Sequence, residues 1–126
     1  MTTPELNKIS YDIIGCAYKV HKALGPGLLE STYETCLCYE LEKSGLRYER
    51  QKELSINYNG ILLPNAYRID ILVENKVMVE LKSVENLLPI HTAQLLTYLK
   101  LSNIHLGLLI NFNTENLQND IRRYVK

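Results

Sequence analysis

Asp70, Glu80 and Lys82 are the residues of this chain whose types and spacing best suit chemistry. Asp70 lies inside one apolar run, and Glu80 and Lys82 are two residues apart in the next, so they would share one face of a strand. A turn centred on Asn75 would set Asp70 directly opposite Glu80, on the same face of the sheet. The sequence therefore predicts a carboxylate pair with a lysine beside it.

Two directly opposed carboxylates should repel each other, unless a divalent cation lies between them or one of them is protonated. Oxygen ligands without histidine or thiolate favour Mg²⁺ or Mn²⁺ over Zn²⁺. A cation held by Asp70 and Glu80 would polarise a phosphodiester, and Lys82 would stabilise the developing charge or help to position the attacking water. The alternative is that both carboxylates face water at a sheet edge, with Lys82 as a neutralising neighbour.

The pattern of apolar residues predicts the elements that must position this group, in the order helix, helix, three strands, helix, strand, helix. Proline or glycine marks several of the boundaries, and Asn59-Gly60 is a strong signal for a hairpin turn. The predicted elements are helices from Pro4, over about 28–43, over about 89–101 and over 114–124, and strands over 46–58, 67–73, 77–82 and 104–110.

Polar residues form a stripe on each of two predicted helices. Glu30 and Tyr33 are three residues apart in the second helix, and His91, Gln94 and Tyr98 follow at spacings of three and four in the third. Such a stripe is also typical of a solvent-exposed face, and a histidine at a helix start often caps the helix. The opposite face of the third helix is expected to pack on the sheet through Ala93, Leu96, Leu99 and their neighbours.

Length and composition indicate one compact domain over residues 1–126, with 46% hydrophobic residues and a formal net charge of zero. Zero net charge argues against a protein that coats duplex DNA nonspecifically, because such proteins usually carry a basic surplus. No run approaches the length of a membrane-spanning helix, and the first residues lack the order of a secretory signal, which predicts a cytoplasmic protein without membrane contact. The three cysteines are predicted to be buried, reduced thiols.

Two further features bear on partners. Basic residues cluster at Arg47, Arg50, Lys52 and Arg68, although such a cluster is commonly only a solvated face. Nine tyrosines against one phenylalanine and no tryptophan suit half-exposed surfaces such as subunit interfaces. Because so small a domain has little surface with which to grip a duplex alone, we expect a homo-oligomer.

The segment 27–33, Gly-Leu-Leu-Glu-Ser-Thr-Tyr, resembles the GxxExxY signature of the GxxExxY protein family. The resemblance continues in order over nearly the whole chain. It includes the segments Arg68-Ile69-Asp70, Val79-Glu80-Leu81-Lys82, Leu88-Pro89-Ile90-His91, Gln94-Leu95-Leu96-Thr97-Tyr98 and Gly107-Leu108-Leu109-Ile110-Asn111-Phe112.

That family resembles a branch of the PD-(D/E)XK nuclease superfamily. The resemblance implies an α/β fold with an αβββαβ core, a mixed central sheet flanked by helices, after one extra N-terminal helix. Asp70, Glu80 and Lys82 then take the D…ExK positions, although Ile69 stands where the literal motif has proline. Glu30 takes the position of the helical carboxylate.

The resemblance implies a divalent-metal-dependent nuclease whose cofactor is Mg²⁺ or Mn²⁺. The expected partner is nucleic acid, with DNA expected rather than RNA. Its expected catalytic residues are Asp70, Glu80, Lys82 and Glu30, with the three carboxylates at the metal. The expected substrate-binding residues are Gln94, Tyr98, His91 and Tyr33. The alternatives are a non-catalytic nucleic-acid-binding module and an oligomeric partner-interaction protein that keep the same fold.

Overall fold

The computed structural model describes residues 2–126, and these form the expected α/β fold. One mixed sheet has the strand order β1-β2-β3-β4-β5, in which β3 and β4 are parallel and every other pair is antiparallel. None of the helices in this part of the chain is long and apolar enough to cross a membrane. The elements are α1 (Pro4–Leu24), α2 (Glu30–Lys43), β1 (Tyr48–Tyr58), β2 (Ile61–Val73), β3 (Val77–Lys82), α3 (Pro89–Ser102), β4 (Leu106–Asn111), a 3₁₀ turn (Leu117–Asp120) and β5 (Ile121–Val125).

Apolar side chains cover the sheet on both faces. The α1/α2 cluster joins helices α1 and α2 to one face, and its members include Ile13, Tyr33, Leu37, Ile71, Val73, Val77, Val79, Leu81, Leu108 and Phe112. The α3 cluster covers the other face with Ile69, Met78, Leu95, Leu99 and Leu109. Strand β3 alternates between the two clusters, so both of its faces are covered.

Helix α3 packs closely on β4 because Gly107 has no side chain. A Cβ added at Gly107 would lie 3.0 Å from Leu95 Cδ1 and 3.2 Å from both terminal carbons of Leu99. The buried residues of α3 are thus Leu95 and Leu99, whereas Leu96 is 45% exposed and Ala93 is also exposed. The predicted packing face was therefore wrong at Ala93 and Leu96 and correct at Leu99.

The predicted register of β2 against β3 is confirmed. The paired residues are Ile71 with Val79, Leu72 with Met78 and Val73 with Val77. The ladder ends at the first of these pairs, immediately before Asp70 and Glu80, and this places the carboxylates where the two strands separate.

The predicted C-terminal helix over 114–124 was wrong. A 3₁₀ turn occupies Leu117–Asp120, and Ile121–Val125 then pairs with β4 as an antiparallel strand. Asn116 caps the turn by accepting a hydrogen bond from the Gln118 N–H at 3.2 Å. Pairing along the open edge of β4 satisfies more backbone groups than one isolated helical turn would, so tertiary context overrides the local pattern.

The β1–β2 hairpin extends well beyond the residues of β2 that pair with β3. Asn59 and Gly60 form its turn with φ angles of +52° and +84°, which confirms the predicted hairpin. Around this turn Tyr58, Ile61 and Leu62 are 63%, 61% and 65% exposed. The far end of the hairpin is therefore an apolar surface in contact with solvent.

Candidate metal-dependent active site

The carboxylates of Asp70 and Glu80 each reach across to the backbone of the opposite strand. The Leu81 N–H donates to Asp70 Oδ2 at 2.8 Å, and the Asp70 N–H donates to Glu80 Oε1 at 3.3 Å. Side chains thus replace the backbone ladder at this point, because each carboxylate binds an N–H that would otherwise pair with a carbonyl. The arrangement places the two acidic groups side by side.

Glu80 is the more buried member of the pair, with only 4% of the residue exposed. Burial raises its pKa to about 9, and the nearby charge of Asp70 and a hydrogen bond between the two carboxyl groups add to the rise. The Asp70 N–H and the Lys82 ammonium oppose it. At neutral pH the pair therefore holds a proton on Glu80, and a bound cation would take the place of that proton.

Lys82 is the last residue of β3, and the chain that follows it is firmly held. The Phe112 N–H donates to the Lys82 carbonyl at 3.0 Å. The fully buried Asn111 side chain accepts from the Val84 N–H and donates to the Val84 carbonyl, both at 3.0 Å. Because β4 clamps the backbone on both sides of Ser83, the Lys82 side chain begins from a fixed point next to Glu80.

Glu30 begins helix α2 and lies close to this group. Although part of its side chain reaches solvent, desolvation raises the pKa of Glu30. The Lys82 ammonium opposes that rise, and the carboxylates of Asp70 and Glu34 add to it. The helix thus presents Glu30 at the rim of the site, near enough to Asp70 and Lys82 to interact with both charges.

Tyr33 lies one turn further along α2 and is fully buried. Its ring stacks on Phe112 with centroids 4.6 Å apart, and its hydroxyl donates to the Gly25 carbonyl at 2.5 Å and accepts from the Leu28 N–H at 3.2 Å. A fully buried ring cannot contact a substrate without rearrangement, so the structure favours a different role from the predicted one. Tyr33 holds the loop that leads to Glu30.

That loop is also tied to the strand that carries the site. The Ser83 hydroxyl donates to the Leu28 carbonyl at 2.6 Å, directly after Lys82. Leu28 is therefore held by Tyr33 through its N–H and by Ser83 through its carbonyl. These two contacts fix the start of α2 against the end of β3.

Tyr98 lies on the α3 side of the site. It is half-buried, with its ring 4.8 Å from that of Tyr67, and the Gln94 amide donates to its hydroxyl at 3.1 Å. Burial raises the pKa of Tyr98, and the charges of Glu80 and Asp70 add to that rise, whereas the Gln94 hydrogen bond and Arg68 oppose it. Gln94 and Tyr98 are thus joined by a hydrogen bond on the α3 side of the carboxylates.

His91 has a local partner at the start of the same helix. Its Nδ1 accepts a hydrogen bond from the Leu88 N–H at 3.0 Å, so it caps α3. This is the alternative that the sequence left open for a histidine at a helix start. A substrate contact for His91 would have to use the other ring nitrogen.

An open groove of about 610 Å³ lies between α2 and the two-stranded ribbon that β1 and β2 form, the β1–β2 ribbon. Its lining includes Glu30, Ser31, Glu34, Gln51 and Arg68. Glu30 contributes to both the groove and the site, and Arg68 interacts with Tyr98 across from it. The groove therefore extends to the rim of the site at Glu30.

Most of the basic cluster noted in the sequence is neutralised locally. Arg47 pairs with Glu74, Arg50 with Glu34 and Lys52 with Glu49, at 3.3, 3.0 and 2.8 Å respectively. Among residues 2–126, Arg68 makes no ion pair within 4.0 Å. Of this cluster, Arg68 is thus the cation available to an anionic ligand in the groove.

The residues present fit a hard divalent cation with few protein ligands. Within residues 2–126 no set of three or more histidine, cysteine, aspartate or glutamate side chains is close enough to hold a metal, so Glu30 is not gathered with Asp70 and Glu80. The pair itself supplies two oxygen donors, and among residues 2–126 no backbone N–H donates to its second oxygens. Mg²⁺ is commonly held by one or two carboxylates together with waters and substrate phosphates, which is the set that this site offers.

Sequence reasoning missed three residues that shape the site: Glu34, Gln51 and Asn111. Glu34 follows Glu30 by four residues and so lies on the same side of α2, which is a signal that could have found it. Asn111 ends an apolar strand, and a polar residue there suggests a backbone clamp. Gln51 gave no signal, because its importance comes from its backbone conformation.

Comparison with known proteins bears on the family and the fold of this chain. The family model described as the PD-(D/E)XK nuclease superfamily matches residues 7–124. The solved structure of SSO0001 is similar with a TM-score of 0.51 and 24% sequence identity, over 75% of this chain and 48% of that one. This likeness concerns the fold, and the chain spans about half the length of SSO0001. No curated protein sequence matches the chain significantly. With its fold and nearly its whole length matched, this chain belongs to the PD-(D/E)XK nuclease superfamily.

Proposed function

We propose that this protein is a divalent-metal-dependent nuclease that hydrolyses phosphodiester bonds of nucleic acid, with Mg²⁺ or Mn²⁺ as its cofactor. One observation carries the proposal: Asp70 and Glu80 lie side by side where β2 and β3 separate, and Glu80 is buried with its pKa raised to about 9. A buried acidic pair of this kind destabilises a fold, so a function that needs it is the simplest reason for keeping it.

Each residue of the site has a role that follows from its position. Asp70 and Glu80 would hold the cation, which supplies Lewis-acid polarisation of the phosphate when bound. The Lys82 ammonium, next to Glu80 on β3, would stabilise charge that develops on the phosphate or orient the attacking water. Glu30 at the rim would accept a hydrogen bond from that water. Gln94 and Tyr98 would contact the substrate from the α3 side, and His91 would extend that surface.

We propose DNA rather than RNA as the substrate and the open groove as its path. The groove reaches the rim of the site at Glu30, and its Arg68 has no ion-pair partner within residues 2–126, which suits the phosphate of a nucleic-acid strand. The ordered motif from Gly27 to Tyr33 supports membership of the GxxExxY branch. A cytoplasmic location remains a prediction from the sequence.

The test is a cleavage assay of the wild type and Glu80→Ala on labelled single-stranded, duplex and branched DNA and RNA. Each substrate is incubated with Mg²⁺, Mn²⁺ or EDTA. We expect cleavage by the wild type that requires metal and is lost in Glu80→Ala. An exposed carboxylate nearby, changed in Glu85→Ala, is the matched control and should leave cleavage unchanged. Absence of cleavage by the wild type at high enzyme concentration on every substrate would contradict the proposal.

A second function, self-association, is favoured by the apolar end of the β1–β2 hairpin. Tyr58, Ile61 and Leu62 are each more than half exposed there, and such a surface is typical of an interface between copies. We therefore propose a homo-oligomer that uses this hairpin. Light scattering should give a mass above that of one chain, and Leu62→Lys should reduce the mass. A monomeric wild type would rule out this part of the proposal.

A further inference from the structure

The β1–β2 ribbon changes the face that it presents to the helices at the level of Asp70. Ile69 packs in the α3 cluster, whereas Ile71 packs in the α1/α2 cluster. Residues two apart in a regular strand lie on the same face, so the strand must rotate about its long axis between them. We call this rotation the roll of the ribbon. The partner strand does the same, because Tyr48 packs against the α1/α2 cluster and Leu54 against the α3 cluster.

Gln51 is the residue of β1 at which this roll occurs. Its φ angle is +49°, in the left-handed region that favours glycine and asparagine. It stands between Arg50 and Lys52, whose partners in β2 are the residues on either side of Asp70. The unusual backbone thus lies directly across from a residue of the candidate site.

A buried carboxylate on α2 holds Gln51 in this conformation. The Gln51 amide donates to Glu34 Oε1 at 2.6 Å, and Arg50 donates to Glu34 Oε2 from Nε at 3.1 Å and from Nη2 at 3.0 Å. The same Nη2 donates to the Thr35 hydroxyl at 3.1 Å. Glu34 is only 6% exposed, and a carboxylate so buried requires partners for both of its oxygens. Both oxygens of Glu34 are occupied by donors from the ribbon at the point where it rolls.

We propose that Glu34 and Gln51 are positioning residues for Asp70. Their contact fixes the roll of the ribbon, and the roll turns Asp70 out of the β2–β3 ladder so that its carboxylate reaches the Leu81 N–H beside Glu80. Glu34 lies one turn after Glu30, and its contact with Gln51 ties α2 to β1 at the position directly across from Asp70 in β2. Only the metal-binding part of this inference rests on the proposed function.

Hydrogen exchange in the metal-free protein tests the inference without any assay of activity. The variant Gln51→Met keeps the length of the side chain and removes its amide donor. The variant Glu34→Gln removes the negative charge that binds the Gln51 amide. In both variants we expect the Leu81 amide, which binds Asp70, to exchange about tenfold faster, while the other amides of β3 keep their wild-type rates. The matched control is Lys52→Met, one residue further along β1, which should leave the Leu81 amide unchanged.

Mn²⁺ binding, measured by titration calorimetry or electron paramagnetic resonance, is the second readout. We expect about tenfold weaker affinity in Gln51→Met and in Glu34→Gln, and no change in Lys52→Met. Unchanged exchange at Leu81 in a folded Gln51→Met would overturn the inference. Equally faster exchange at every β3 amide would also overturn it, because the contact would then only stabilise the sheet. A wild type that cuts no nucleic acid would contradict the proposed function and would leave the exchange result standing.

Discussion

Strands β2 and β3 meet in two different ways within a few residues. From Ile71 to Val73 they pair as a regular antiparallel ladder with Val77 to Val79, and every residue of that ladder is apolar and buried. At Asp70 and Glu80 the ladder stops, and carboxylates bind the backbone of the opposite strand. The first arrangement stabilises the fold through burial, whereas the second places acidic groups together at the expense of stability. The following changes should separate these two contributions.

Glu80→Gln should have the largest effect on activity and should not lower stability. The neutral amide keeps the shape of the side chain but loses a charged metal ligand, so cleavage should fall by about 10²–10³-fold or more. The metal-free variant should be at least as stable as the wild type, because it no longer buries an acid beside Asp70. Initial cleavage rates and thermal unfolding of the same preparations measure both effects. A variant that cleaves at the wild-type rate would remove Glu80 from the chemistry.

Ile71→Ala should lower stability and largely keep activity, in contrast to Glu80→Gln. The side chain is fully buried in the regular ladder between β2 and β3, so its truncation should lower the free energy of unfolding by about 2–5 kcal/mol. Cleavage at a temperature where the variant remains folded should stay within about tenfold of the wild type. Urea unfolding checks the first expectation. Leu101→Ala, at a residue that is 45% exposed and lies outside the hairpin surface, is the control and should change stability by no more than about 0.5 kcal/mol.

The pH dependence of stability should report the acidic pair directly. The pKa of Glu80 is raised from 4.5 to about 9 in the folded, metal-free protein, so the folded state holds one more proton than the unfolded state between those values. Stability must therefore fall as pH rises through that window. Relative to Glu80→Gln, the wild type should lose about 1.4 kcal/mol of unfolding free energy for each pH unit within that window. Urea unfolding of both proteins in parallel gives the difference, and parallel pH profiles would contradict the shift.

Tyr33→Phe should have the smallest effect of the four. The ring and its stacking on Phe112 remain, but the hydrogen bonds to the Gly25 carbonyl and the Leu28 N–H are lost, at about 1–2 kcal/mol of unfolding free energy. Cleavage should decrease modestly, because the loop before Glu30 loses one of its two ties. Tyr11→Phe, at a residue that is 78% exposed, is the control for the loss of a tyrosine hydroxyl. A Tyr33→Phe variant with unchanged stability would mean that the loop holds without this hydroxyl.

The sequence predicted the regular β2–β3 ladder better than the region of Asp70 and Glu80, where the ladder stops. Alternation in β3 and the turn at Asn75 gave the register of Ile71 with Val79 correctly, because apolar burial and turn geometry are both local signals. The proximity of Asp70 and Glu80 followed from the same register. The register did not predict that β2 and β3 separate at this point, because the separation depends on side chains that bind backbone groups of the opposite strand.

Long-range contacts account for what the sequence could not predict. The roll at Gln51 depends on Glu34, which lies 17 residues earlier in another element, and no local pattern marks it. The last strand, Ile121–Val125, forms because β4 offers an open edge, although the segment by itself resembled a helix. On α3, Gly107 decides which residues face the sheet, and this brings Leu95 rather than Leu96 inward.

The packing of α1 has a consequence for the order of folding. Its buried face shares a cluster with Leu106, Leu108, Ile110 and Leu117, and Arg123 of β5 donates to Asn7 at 2.6 Å and to Ser10 at 3.4 Å. The sequence separation of that first contact is 116 residues. Contacts between such distant parts of a chain slow folding, because a long loop must close before they form. During synthesis the part of the apolar face of α1 that packs on β4 and the residues after it stays uncovered until these have emerged, although α2 can cover the rest earlier. Exposed apolar surface in this interval makes the chain prone to aggregation.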